Sequence, residues 1–564
     1  MFLPTTKKEL QTLGWEKPDV ILITGDAYID SPFSGVAVIG RILMNAGYRT
    51  AIIAQPDIQS DIDIKRLGEP NLFWGISGGC VDSMVANYTA SKKRRKSDDY
   101  TPGGQNVKRP DRAVIRYANL IRQYYKQTVP IVLGGIEASL RRISHYDFWS
   151  NKLRQSVLLD AKADYLIYGM GEKAIIQLAK ALENNISGEH IRGLCYISKE
   201  PVPEYTTLPS YEDVKKSKTS FTKMFHIFYK NNDPKTATGL CQKHGARYLI
   251  QNPPANHLSQ SELDEIHEFD FERAIHPFYR KEGKVKALDT IQFSMTTHQG
   301  CYGECNFCAI SVHQGRTVRW RSQDSIINEA KMIAQRPDFK GTITDAGGPT
   351  ANMYGFECKK KLQKGSCPDK RCLFPNICKQ LKPNHSHLIS LLSELKKIKG
   401  VKNVFTASGI RYDLIFADLQ HGRNYLKQVV LKHVSGQLKI APEHTEDEIL
   451  ELMGKPGTKQ LIQFKKEFDS LTRQSGKKQF LTYYMIAAHP GCTDDNMKNL
   501  KRFCNNVLKT SPEQVQIFTP TPSTYSSLMY YTGKNPFNGG KLFTEKNLVK
   551  SEKQKQIVTN RKWK

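Results

Sequence analysis

Between residues 291 and 518, six short apolar runs each stop at a cluster of glycine, proline, histidine or charged residues. The runs cover residues 291–295, 342–344, 403–407, 437–440, 480–486 and 514–518. Short runs bounded by turn residues predict strands. The stretches between them carry helical periodicity: Ser322 is placed to cap a helix with Ile326, Ile327, Ala330 and Ile333 on one face, and residues 388–398 read as another. Strands separated by helices pair in parallel, so this half predicts a partial (β/α)6 barrel. In such a barrel the loops after the strands share one face, and chemistry sits there. That face would collect Gly347-Gly348-Pro349, Ser408-Gly409-Ile410-Arg411, Ala441-Pro442-Glu443-His444, Ala487-Ala488-His489-Pro490-Gly491 and Thr519-Pro520-Thr521-Pro522.

The loop after the first of these strands reads Cys301-Tyr302-Gly303-Glu304-Cys305-Asn306-Phe307-Cys308. Three thiols are enough to hold a metal centre and one ligand short of closing it. Structural zinc usually takes four protein ligands, and so does a cubane of four irons. A three-thiolate cubane therefore leaves one iron open to another molecule. A second thiol set, Cys358, Cys367, Cys372 and Cys378, lies in an insertion over residues 355–385, with His385 and His387 at its end. Gly365, Pro368 and Pro375 stand among these thiols, and the segment reads as a small metal-wrapped loop holding an iron–sulfur cluster or zinc. Seven of the twelve cysteines thus fall within residues 301–378, a distribution that points to metal ligation in a reducing compartment rather than to disulfides.

Residues 1–200 show the same rhythm. Apolar runs at residues 19–24, 50–54, 72–77, 130–133 and 165–168 end in Gly25-Asp26, Gly78-Gly79, Gly134-Gly135 and Gly169-Met170-Gly171-Glu172, or, for residues 50–54, in Gln55-Pro56-Asp57. Helices are expected from Ser34 to Gly47 and over residues 111–126. This is the pattern of an open parallel sheet, whose ligands sit beyond the carboxyl ends of the strands. Residues 201–285 lose the periodicity and read as an extended linker. Residues 536–564 read as a basic flexible tail, with eight Lys or Arg against two Glu in residues 541–564. Lys and Arg outnumber Asp and Glu by 83 to 55, which favours anionic partners, nucleic acid among them. The run Lys92-Lys93-Arg94-Arg95-Lys96 reads as a solvated loop, with a phosphate or RNA contact as the alternative. No run of 18 apolar residues and no apolar signal segment is present, so no membrane association and a cytoplasmic location are expected.

The Cys301–Cys308 spacing resembles the cluster loop of radical S-adenosylmethionine (SAM) enzymes, and residues 286–535 resemble the core of that superfamily. The resemblance implies a [4Fe-4S] cluster on Cys301, Cys305 and Cys308, whose open iron chelates the amino and carboxylate groups of SAM. Gly347-Gly348-Pro349 falls where these enzymes carry a Gly-Gly-Glu-like turn whose carbonyls accept from the cofactor's ammonium, with Pro349 replacing the acidic residue. Ser408, Arg411, Lys439 and Glu443 are implied to handle the cofactor's ribose and carboxylate, and Phe307 to pack near its adenine. The whole chain is similar to the YgiQ-type family of radical SAM proteins, through Gly25-Asp26-Ala27-Tyr28, Ile53-Ala54-Gln55-Pro56-Asp57, Gly134-Gly135-Ile136-Glu137-Ala138-Ser139, Thr297-His298-Gln299-Gly300-Cys301 and Leu438-Lys439-Ile440-Ala441-Pro442-Glu443-His444.

Residues 1–200 resemble the cobalamin-binding-like domain found ahead of some radical SAM cores. They lack an Asp-x-His-x-x-Gly motif between Asp26 and Gly35, with Ser31 near where the histidine would stand, so bound cobalamin is not expected. The class implies reductive cleavage of SAM, hydrogen abstraction from a substrate that the sequence does not name, and a one-electron reductant protein of flavodoxin or ferredoxin type. The alternatives are an RNA-modifying, methylthiotransferase-like radical SAM enzyme and a non-catalytic, metal-stapled nucleic-acid-binding protein.

Overall fold

The computed structural model describes residues 1–559. It consists of two compact units, residues 1–258 with 265–292, and residues 259–264 with 293–564.

The first unit is built on a nine-stranded sheet. Its strands are β1 (Val20–Thr24), β2 (Thr50–Ala54), β3 (Phe73–Ser77), β4 (Ile131–Gly134), β5 (Tyr165–Ile167), β6 (Leu194–Ser198), β7 (Thr206–Leu208), β8 (Leu240–His244) and β9 (Arg247–Gln251), in the order β7-β8-β9-β6-β5-β4-β3-β1-β2. β2, β1, β3, β4 and β5 run parallel, with Val20 opposite both Thr50 and Phe73. β1 and β2 are buried at every residue, as strands covered on both faces must be. The helices Gly35–Asn45, Ala113–Tyr124 and Glu172–Glu183 turn their apolar residues to the sheet. Ser34 stands at the predicted cap of the first of these, but its hydroxyl makes no capping bond.

The expected linker over residues 201–285 is instead folded. It supplies β7, β8 and β9, which extend the sheet with antiparallel pairing on β6, and the helix Lys218–Lys230. Periodicity failed there because these strands bury polar side chains. Gln242 is buried with its Oε1 accepting from the Ser144 N–H (3.0 Å) and its Nε2 donating to the Pro209 carbonyl (3.0 Å). A buried amide with both ends satisfied costs little, yet it reads as a loop residue in a hydropathy pattern.

The second unit holds the partial barrel. β10 (Ser294–Thr296) pairs in parallel with β12 (Asp345–Gly347), and β11 (Thr342–Ile343) with β13 (Asn403–Val404). β14 (Gln437–Glu443), β15 (Phe480–Ala487) and β16 (Val515–Ile517) form a parallel three-stranded sheet. A parallel bridge between Ile410 and Ile440 and the bond from the Ala346 N–H to the Phe405 carbonyl (3.0 Å) close the series into six successive strand positions. The core is filled by Met295, Ile343, Ala346, Val404, Leu438, Ile440 and Met485 against Ile326, Ala330 and Ile333 of the helix Gln323–Ala334 and the leucines of Ser386–Lys397. Ser322 caps Gln323–Ala334 as expected, accepting from the Ser325 N–H.

The expected flexible tail is corrected for its greater part. The helix Leu548–Thr559 buries Ser551, Gln554 and Val558, and the Gln554 amide accepts from the Ala488 N–H (3.1 Å) and donates to the Cys492 carbonyl (3.3 Å). Residues 560–564 lie outside the described residues.

Candidate metal and cofactor site

The thiol loop leaves the end of β10 and is pinned at Asn306. The Asn306 N–H donates to the Met453 carbonyl (2.9 Å), its Nδ2 donates to the Leu452 carbonyl (2.8 Å), and its own carbonyl accepts from the Ser526 N–H (2.9 Å). The sharp path of the loop needs a left-handed backbone at Glu304 (φ 44°), whose buried carboxylate pairs with Arg316 (3.2 Å). Gly303 lies between sulfurs. A Cβ there would sit 3.2 Å from Cys301 Sγ and 3.6 Å from Cys305 Sγ. The Gly303 N–H donates to Cys301 Sγ (3.3 Å), and the Thr350 hydroxyl lies 3.7 Å from the same sulfur.

Burial, reinforced by the neighbouring sulfurs, pushes the Cys301 thiol up and the Cys308 thiol up to about 12. A cationic iron centre stabilises crowded sulfurs as thiolates, so the donor set fits a cluster. Among the described residues, no three His, Cys, Asp or Glu side chains converge on one point as they would around a single ion. A cubane takes each thiolate on a different iron, and convergence is not required of it.

The turn after β12 stands against this loop. The Gly347 carbonyl accepts from both the Thr297 N–H (2.7 Å) and the Thr297 hydroxyl (3.1 Å), so this carbonyl is already committed within the fold. Gly348 has a steric reason to be glycine: a Cβ there would lie 2.6–2.8 Å from the ring of His298. That ring is fully buried, its Nδ1 2.8 Å from Thr297 Oγ1, and burial pushes its pKa down to about 4. Gly348 and Pro349 are half-buried.

Asp345, which the sequence reading passed over, holds the next strand end in place. Its Oδ1 accepts from the N–H groups of Ala407 (2.8 Å) and Ser408 (3.1 Å), and its Oδ2 from the Ser408 hydroxyl. Burial raises its pKa, opposed by those bonds and by Lys439. Ser408 is thus engaged with Asp345, and exposed Lys439 lies within electrostatic reach of the same carboxylate.

Arg411 is buried, with Nε donating to Asp413 Oδ1 (3.0 Å), Nη2 to Asp413 Oδ2, and Nη1 to Cys305 Sγ (3.7 Å). Its backbone is clamped by Asn352, which accepts from the Arg411 N–H and donates to the Arg411 carbonyl, both at 2.9 Å. Asn352 Nδ2 lies 3.2 Å from His385 Nε2, and His385 Nδ1 lies 2.8 Å from Asp418.

Glu443 ends β14 in a left-handed conformation (φ 70°). Burial raises its pKa, and no hydrogen bond holds its carboxylate among the described residues. It is close enough to Cys308 to raise that thiol electrostatically. Phe307 is half-buried against the barrel core. The structure therefore gathers the three thiols, Gly347, Gly348, Ser408, Arg411 and Glu443 at neighbouring strand ends.

The second thiol set is only partly gathered. Cys358 is buried with Tyr302, Met353, Phe356, Leu373 and Leu381 in a small apolar core, against which Cys301 and Cys372 pack. Lys361 donates to Cys372 Sγ (3.5 Å) and lies 5.6 Å from the centre of the Tyr302 ring. Cys367 and Cys378 are half-buried, and the Cys378 N–H donates to the Cys372 carbonyl (2.8 Å). His385 serves Asp418 and Asn352, and His387 is exposed.

In the first unit the carboxyl ends of β1 and β3 are filled by charged groups of the chain itself, whereas Gly134, Gly135, Gly169 and Gly171 beyond β4 and β5 are half-buried. Arg109 is fully buried between Asp26 (2.6 Å) and Asp98 (2.9 Å) and also donates to the Gly78 carbonyl (2.9 Å). A Cβ on Gly25 would meet the Gly78 carbonyl at 2.2 Å, and one on Gly78 would meet the Glu137 carboxylate at 2.3 Å. These glycines admit buried charges of the chain itself. Of the basic run, Lys92 is tied to the Trp149 carbonyl (3.1 Å), while Lys93, Arg94, Arg95 and Lys96 are exposed.

The chain matches two family models in succession: residues 2–294 match the radical SAM N-terminal family and residues 295–504 the radical SAM superfamily. A UPF0313 protein of Fusobacterium nucleatum is 58% identical over 100% of this chain and 99% of its own length, and UPF0313 proteins of Thermotoga neapolitana and Thermotoga maritima are each 48% identical with the same coverage. Two solved structures share the fold at 13% identity and a TM-score of 0.50. One is the radical SAM methyltransferase TsrM of Kitasatospora setae with cobalamin and a [4Fe-4S] cluster bound, with 91% of this chain and 78% of that chain covered. The other is the cobalamin-dependent SAM radical enzyme OxsB, with 96% and 56% covered. The fold and the matched models define a radical SAM enzyme. Within that class, the chain belongs to the UPF0313 family, the YgiQ-type family. A [4Fe-4S] cluster and SAM are the cofactors of its class. No helix among the described residues is long and apolar enough to cross a membrane.

Proposed function

We propose that Cys301, Cys305 and Cys308 hold a [4Fe-4S] cluster with one iron left for SAM, and that the enzyme cleaves SAM reductively to abstract hydrogen from its substrate. The observation that carries this reading is the crowding of three half-buried cysteines on one loop at the strand ends, with the Glu443 carboxylate, lacking a hydrogen bond among the described residues, beside Cys308. When bound, the cluster and SAM supply one-electron cleavage of the sulfonium carbon–sulfur bond, giving methionine and a 5′-deoxyadenosyl radical. The chain's residues bind and orient. The three cysteines ligate, and Glu443 accepts from ribose hydroxyls. Lys439 offers an exposed cation to the methionine carboxylate, Gly348 and Pro349 leave room for close approach, and Phe307 offers an apolar face to the adenine.

The first test is anaerobic reconstitution with iron and sulfide. Four irons per chain at this site, and 5′-deoxyadenosine formed from SAM and dithionite, are expected; failure of both removes the reading. In the cell the electron comes from a flavodoxin- or ferredoxin-type protein in this proposal. A methylthiotransferase-like action on RNA is the second reading, favoured by the excess of 83 basic over 55 acidic residues.

The packing of Cys358 and Cys372 around Tyr302 supports a second centre, an iron–sulfur cluster or zinc, completed by Cys367 and Cys378. Metal analysis of a Cys358→Ser/Cys372→Ser variant decides this: loss of zinc or of the additional iron supports it, and wild-type metal content removes it.

A further inference from the structure

We propose that Arg411 tunes the reduction potential of the centre held by Cys301, Cys305 and Cys308, and is not the group that grips the cofactor's carboxylate. This rests on the reading above of those thiols as cluster ligands.

The argument starts from the donor inventory of arginine. Its fork offers two parallel N–H bonds to a carboxylate, and that geometry is what makes it a carboxylate receptor. Here the fork is occupied, because Nε and Nη2 both donate to Asp413, two residues along the chain. Nη1 is the nitrogen left over, and it donates to Cys305 Sγ at 3.7 Å.

The surroundings hold the side chain in this pose. Arg411 is only 8% exposed. Asn352 is fully buried and fixes both backbone polar groups of Arg411 at 2.9 Å, and it is itself within bonding distance of the buried His385–Asp418 pair. Gly303 supplies the space, since a Cβ there would stand 3.1 Å from Nη1. A guanidinium committed to one carboxylate, backed by a buried polar network and aimed at a sulfur, is a preorganised N–H···S donor.

The consequence follows from charge. One-electron reduction adds negative charge to a cluster, and part of it resides on the sulfurs. Hydrogen bonds to those sulfurs and nearby positive charge favour the reduced state, and both raise the potential. In a buried site the effect is screened little.

The test is an anaerobic redox titration of the reconstituted protein without SAM, followed by SAM binding to each form. Two variants are used: Arg411→Lys, and Arg411→Gln with Asp413→Asn, which removes donor and partner together and leaves no unpaired buried carboxylate. The double variant is expected to shift the reduction equilibrium at least tenfold toward the oxidised form, equivalent to 59 mV for one electron. Arg411→Lys, which keeps the charge and loses the fork, is expected to fall between. SAM affinity should change less than threefold. An unchanged potential with SAM affinity lowered tenfold or more overturns the proposal in favour of a carboxylate grip, and unchanged values of both overturn it outright.

A measurement on the wild-type protein covers the case in which the variants do not fold. Pulsed electron paramagnetic resonance of the reduced cluster in protein carrying 15N-guanidinium arginine should show a coupled nitrogen, and its absence overturns the proposal. Failure of the wild-type protein to assemble any cubane overturns the reading of the thiols, which is a separate result.

Discussion

Replacing Asp345 by alanine should loosen the end of β13 by a predictable amount. The carboxylate accepts three bonds, from the N–H groups of Ala407 and Ser408 and from the Ser408 hydroxyl. Bonds to a charged acceptor contribute about 1.5–3 kcal/mol each. Two reductions apply: burial already raises the Asp345 pKa, so the carboxylate is not held at full advantage, and half-buried Ser408 can turn to water. A net loss of about 3 kcal/mol remains by this reckoning. Asparagine keeps one carbonyl oxygen where Oδ1 accepts both N–H groups, so Asp345→Asn should cost about 1 kcal/mol. The assay is native-state hydrogen exchange at Ala407 and Ser408, where a 3 kcal/mol loss raises local opening by about 100-fold. Exchange within twofold of wild type in Asp345→Ala would refute the reasoning, and so would equal effects of alanine and asparagine. Iron loading should be unchanged in both variants, because none of the three thiols touches Asp345.

Further outcomes follow from the same geometry. His298, His444 and His489 are fully buried, with pKa values pushed down to about 4, 3 and 4 by burial. Between those values and the ordinary 6.5 the unfolded chain binds more protons, so stability rises with pH and is lost as pH falls from 6.5 toward 4. Each histidine adds up to about 1.4 kcal/mol per pH unit to that slope, and denaturant midpoints of His444→Asn from pH 7.5 to 5 should show one such share missing. Gly348→Ala puts a methyl into the His298 ring and should cost about 1–3 kcal/mol, read as a lowered Tm. Gln554→Ala removes both bonds from the last helix to the Ala488–Cys492 segment, and protease cleavage within residues 541–559 should quicken while the barrel transition moves by no more than about 2 kcal/mol. Hydroxocobalamin should not co-purify with or bind the chain, because the segment from Asp26 to Gly35 offers no histidine ligand and Arg109 with its two aspartates fills the ends of β1 and β3; a stoichiometric corrin spectrum would contradict this.

The alternation of apolar runs and glycine ends was enough to read the five parallel strands of the first sheet and the strand series of the barrel, because strands buried on both faces, such as β1 and β2, leave an unbroken apolar signature. The thiol loop was legible for a different reason: its chemistry is written in consecutive residues. What escaped was held together across distance by polar groups. β8 and β9 hide in a stretch whose buried Gln242, His244 and Gln251 look like surface residues. Asp345 lies two residues before the glycine turn and reads as a strand-end polar residue until its three donors, more than 60 residues away, are known. Asp413 could have been suspected from its position two residues after Arg411, but its capture of the arginine fork is a matter of side-chain direction. His385 looked like a companion of the second thiol set, and only the fold shows it serving Asn352 and Asp418. The last helix was missed because its sequence carries almost no amphipathic contrast; only Ser551, Gln554 and Val558 are buried in it, and two of those three are polar.

The central claim is that three sulfurs hold a cubane with one iron open to SAM, and the electron paramagnetic resonance spectrum of the reduced, anaerobically reconstituted protein tests it most directly. Adding SAM should change the g-values and line shape, and substituting Cys301, Cys305 or Cys308 by alanine should abolish the signal, whereas substituting Cys492 should leave it intact. A reduced cubane whose spectrum is the same with and without SAM, or one that survives loss of any of the three thiols, would contradict the account.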